Sequence, residues 1–135
     1  MTRTRTYQPP AFVPDHRAAP GSIPAIVDAA FGRLRLQHQA IDAMPTKTPL
    51  DWAARADRLA VLHERAARWW RVLYRHSPAG VPFVYIAAVG GAEQFERDEV
   101  RFWRESASDW RARAEQRPTS DAAGSLSNWA ELGVA

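Results

Sequence analysis

A chain of 135 residues, 46% hydrophobic and 24% charged, is too apolar to be disordered throughout and has room for a single core. Its longest apolar run, Val81 to Val89, contains Pro82 and is far short of the 18 or so residues of a membrane span, so no membrane partner is expected. The absence of Cys excludes disulfides, thiolate catalysis and Cys-based metal sites, whereas a formal charge of +3 with a pI near 9.9 leaves a polyanionic partner open.

Residues 1–21 hold Pro9, Pro10, Pro14 and Pro20 without helical periodicity, and are expected to form an extended, flexible arm. Arg3 and Arg5 are followed by Tyr7-Gln8-Pro9-Pro10 rather than an apolar core, which points to the cytoplasm. The first helix should start at Ser22 as N-cap, tolerate Pro24 in its first turn and run to about Met44, with Ile23, Val27, Ala30, Leu34, His38 and Ile41 on one face. Thr48-Pro49-Leu50-Asp51 then supplies a capping hydroxyl, a proline at the first helical position and an acid three residues after the cap. The helix it opens should continue to about His76, before Ser77-Pro78-Ala79-Gly80.

Trp52, Leu59, His63, Ala66, Trp70 and Leu73 share one apolar sector of that second helix, flanked by Leu62, Trp69 and Tyr74. Arg55, Arg58, Arg65, Arg68, Arg71 and Arg75 occupy the rest, with Asp51, Asp57 and Glu64. From Pro82 a third helix is expected to about Gln116, although Phe83–Val89 is apolar all round and fits a buried strand as well. Gly90-Gly91 would bend or divide it, at about 1 kcal/mol for each glycine relative to Ala. Its expected inner face is Ala88, Ala92, Phe95, Glu99, Phe102, Trp103, Ser106 and Trp110. From Glu93 to Asp109 six acids face three arginines, opposite in sign to the second helix, so the two are expected to lie antiparallel. Residues 118–135 turn to Ser, Ala, Asp and Gly and read as a flexible tail, with one or two amphipathic turns at Leu126–Leu132. The fold class is all-α: an antiparallel helical hairpin or three-helix bundle over residues 22–117, with a long C-terminal helix and flexible termini.

Little of this carries chemistry. His63-Glu64-Arg65-Ala66-Ala67 begins like the HExxH zinc helix, but residue 67 is Ala and the second imidazole is missing. His63 and Glu99, inward on facing helices, form a candidate pair that is structural in the first instance and a metal or acid–base site in the second. His38 lies too far from the turn to join His63 on one metal. There is no nucleophile elbow and no phosphate-loop spacing around Gly90-Gly91, so neither an enzyme nor a cofactor is indicated.

Three functions follow in order. The first is a non-enzymatic interaction or adaptor protein, binding a protein partner or a second copy through Trp69, Trp103, Leu126, Trp129 and Leu132. The second is a nucleic-acid-binding accessory protein using Arg58, Arg65, Arg71 and Arg75 of the second helix together with Arg3 and Arg5. The bundle site around His63 and Glu99 is third. Seventeen arginines against the single Lys47, in an Ala-rich chain, also fit compositional drift in a GC-rich bacterial genome, which tempers the second reading.

Overall fold

The structure, a computed structural model, describes residues 21–117, and the expectations for the arm and the tail fall largely outside them. Within this range lie three helices and no strand: α1 (Ile23–Asp42), α2 (Pro49–Arg75) and α3 (Phe83–Ala114). Phe83–Val89 is therefore helix, and α3 passes through Gly90-Gly91 without interruption.

Local chemistry accounts for the ends. The Ser22 hydroxyl accepts the Ala25 amide at 3.3 Å, and Pro24 sits in the first turn where its missing N–H costs nothing. At α2 the capping box is complete: Asp51 N–H donates to the Thr48 hydroxyl at 3.1 Å, and Thr48 N–H donates back to the Asp51 carboxylate at 3.0 Å. Helix α3 stops in a Schellman arrangement, with Arg117 N–H on the Ala112 carbonyl at 2.7 Å and Gln116 N–H on the Arg113 carbonyl at 3.2 Å. That geometry puts Gln116 at φ 56°, a left-handed conformation better suited to Gly.

Helix α2 is the centre of the fold, packing extensively on α3 and less so on α1. On the α1 side, Leu34 and Ile41 meet Leu59, Leu62 and Ala66, and Phe31, Met44, Trp69 and Trp103 close around this cluster. The Phe31 and Trp70 rings are 4.8 Å apart. Asp42 pairs with Arg55 at 2.8 Å, and Gln37 accepts from Arg65 at 3.1 Å, so α1 and α2 run antiparallel.

Against α3, the buried residues of α2 are mostly alanines. Ala53, Ala56, Ala60 and Ala67 are buried on α2, while Val89, Val100 and Ala107 are buried on α3. The α3 seam recurs as Val89, Glu93, Glu96, Val100, Trp103, Ala107 and Trp110, alternating four- and three-residue steps as in an antiparallel heptad interface. Side chains no larger than a methyl let the two backbones approach closely, which is why Ala107 has no exposed surface. Stacked Trp52 and Trp110, 5.7 Å apart, lock the far end of the pair, with Arg113 over Trp110 at 4.5 Å.

This seam corrects the expected inner face of α3. Ala88, Phe95 and Phe102 are exposed, and the helix is rotated so that Glu93, Glu96 and Val100 turn toward α2 instead. His38 is likewise exposed, bonded to Asp42 at 3.1 Å rather than lying inside.

Candidate functional site

Three features of the surface and interior bear on function. The first is the His63 cluster. His63 Nδ1 lies 2.5 Å from a Glu96 carboxylate oxygen, and Nε2 lies 3.8 Å from Glu99, whose same oxygen accepts the Trp103 indole N–H at 3.0 Å. The closer partner is thus Glu96, one turn before the expected Glu99. The seam spacing Glu96-Val100-Trp103 signals it, once the phase of α3 is read from the small residues rather than from the aromatics. A direct contact of 2.5 Å leaves no gap for an ion between nitrogen and oxygen, given metal–ligand bonds of about 2 Å each. Among the described residues, no group of three or more His, Asp or Glu is placed to hold a metal. The cluster joins α2 to α3 beneath α1.

The second feature is the outward face of α3. Val84, Phe95 and Phe102, spaced by 11 and then 7 residues, share one face of the helix and are 73%, 60% and 57% exposed, with Ala88 and Gly91 between the first two. Phe83, at the start of the helix, is more exposed still. A Cβ built on Gly90 or Gly91 would meet nothing within 4 Å, so packing among the described residues does not require either glycine. The tryptophans expected to serve a partner lie elsewhere: Trp69 and Trp103 are half-buried against the core cluster. Leu126, Trp129 and Leu132 lie outside the described residues.

The third feature is the distribution of arginine. Arg58 and Arg65 flank the α1–α2 junction, whereas Arg71 reaches across to Glu93 of α3 at 2.9 Å, so the four arginines expected to act together do not form one surface. Arg75 is exposed at the end of α2. A set that shares only Arg71 with these four converges between α2 and α3, where an open groove of about 560 Å³ is lined by Arg68, Arg71, Arg97, Arg101 and Arg104, with Glu64 among them. Beside it, the exposed Asp98 carboxyl is held below its usual range, chiefly by the hydrogen bond from Arg101 and then by that from Gln94.

None of the described helices is long and apolar enough to cross a membrane. In comparisons with protein families, curated proteins and solved structures, the chain matches no family model, no curated protein and no solved structure.

Proposed function

We propose that this chain is a non-enzymatic helical interaction protein of the cytoplasm, which binds a protein partner or a second copy of itself through the outward face of α3. The observation that carries the reading is the row Val84, Phe95 and Phe102, left uncovered on the longest helix while the neighbouring tryptophans are used inside. Phe102 meets the edge of Trp103 at 4.9 Å yet keeps more than half of its surface exposed, as does Phe95, and aromatic anchors of this kind dominate the energetics of protein interfaces. The two glycines support the same conclusion. They weaken α3 by about 1 kcal/mol each relative to Ala, meet no neighbour within the chain, and leave the backbone open to close approach by another helix.

Native mass spectrometry of protein gently purified from its source cells tests this reading. The wild-type chain is expected as a dimer or with a bound protein, and Phe95→Ser/Phe102→Ser as a folded monomer without it. A wild-type chain recovered only as a bare monomer, with and without mild crosslinking, would contradict the proposal.

A further inference from the structure

The geometry points to a second binding surface, independent of the first: the arginine groove between α2 and α3 is a site for the phosphate backbone of a nucleic-acid duplex. Along the sequence, α3 looks acidic between Glu93 and Asp109, and neutralisation of α2 is the natural expectation. In the fold two of the α3 acids leave the groove, whose lining keeps five arginines and the single acid Glu64. Glu96 and Glu99 turn toward His63, while Arg97, Arg101 and Arg104 turn into the groove to meet Arg68 and Arg71.

The nearby acids are too few to satisfy these five guanidinium groups. Glu64 is shared between Arg68 at 3.2 Å and Arg104 at 3.6 Å. Glu93 is shared between Arg71 at 2.9 Å and Arg97 at 2.6 Å, and Asp98 holds Arg101 alone. Each guanidinium carries five N–H donors in a planar fork, so most of the donors remain for a ligand, and phosphate oxygens match that fork in pairs. Arg68, Arg101 and Arg104 have 73%, 76% and 63% of their side-chain surface exposed, which leaves them accessible.

The lining also selects among polyanions. The apolar floor consists of the buried Ala67 and Val100, so the groove offers no pocket for an apolar peptide anchor and no aromatic platform for an unpaired base. What it offers is charge in rows. Arg97, Arg101 and Arg104 rise along α3 in steps of about 4.5–6 Å, and Arg68 and Arg71 face them across the groove. A regular phosphate backbone, read without regard to base sequence, is the ligand that such rows fit.

The test is fluorescence anisotropy of the full chain with a labelled mixed-sequence DNA duplex of about 20 base pairs, titrated over a range of salt. Binding is expected with a log–log salt slope of about −2.7 to −4.5, as the neutralisation of three to five phosphates requires. Arg68→Gln/Arg101→Gln/Arg104→Gln should weaken binding on the order of tenfold or more and flatten the slope by roughly one for each phosphate left without its arginine. Arg33→Gln/Arg35→Gln, exposed on α1 and away from the groove, should bind like wild type, and circular dichroism melts should show both variants folded. Affinity unchanged in the groove variant, or equally reduced in the control, would overturn the assignment. So would displacement of the duplex by inorganic tripolyphosphate or polyglutamate at equal charge concentration, which would assign the groove to a free oligophosphate or an acidic protein.

Discussion

At the scale of single residues, the fold contains positions where local chemistry and local conformation disagree, and these give the sharpest expectations. Gly90 and Gly91 stand in the interior of α3 with open space where a Cβ would be. Gly90→Ala and Gly91→Ala should each stabilise the chain by about 1 kcal/mol, raising the melting temperature by several degrees in a domain of this size. Calorimetry checks this, and a fall in melting temperature would mean that the helix needs its glycines. His63 presents the opposite case. Removing its imidazole leaves the largely buried Glu96 carboxylate without its closest partner, so His63→Ala should cost about 1–3 kcal/mol in urea unfolding. His63→Leu/Glu96→Leu should recover much of that loss, because two apolar side chains leave no unpaired group behind.

At the scale of elements, the α2–α3 seam depends on small side chains. Ala107→Leu should therefore push the helices apart and destabilise the fold by about 1–3 kcal/mol, whereas Ala88→Leu on the exposed face should be nearly neutral. Thermal melts of the two variants compare a buried with an exposed alanine on one helix. The same contrast explains what could be read from the sequence. Helix ends were legible because capping is local: Ser22, and the Thr48-Pro49-Leu50-Asp51 box, act on amides within one turn of themselves. The facing of α1 was mostly legible, since Val27, Ala30, Leu34 and Ile41 are buried as their spacing requires, with His38 the exception. The facing of α3 was legible in part: Ala92, Glu99, Trp103, Ser106 and Trp110 are half-buried as expected, whereas Ala88, Phe95 and Phe102 are exposed. Phe95 and Phe102 drew the expected phase by their hydrophobicity, but Ala107, with little transfer energy of its own, and acids paired to His63 and Arg71 take places in the seam instead. For that reason Glu96 escaped notice and the arginine groove, assembled from two helices about 30 residues apart in sequence, was invisible along the chain.

At the scale of the whole molecule, among the described residues α1 packs mainly on α2, whereas α2 and α3 hold each other along most of their length. Native-state hydrogen exchange should show α1 amides opening at lower free energy than those in the middle of α2 and α3, as one cooperative unit. Uniform protection across the three helices would contradict this hierarchy. The same asymmetry frames function, because α3 is secured along its inner seam and presents its other side outward as a rigid platform. Whether that platform is a binding surface is tested most directly by hydroxyl-radical footprinting of the chain in source-cell extract against the purified, dilute protein. Oxidation of Phe95 and Phe102 is expected to fall severalfold in the extract while exposed Leu36 on α1 reacts equally in both. Equal reactivity of Phe95 and Phe102 in the two settings would contradict the interaction role of α3.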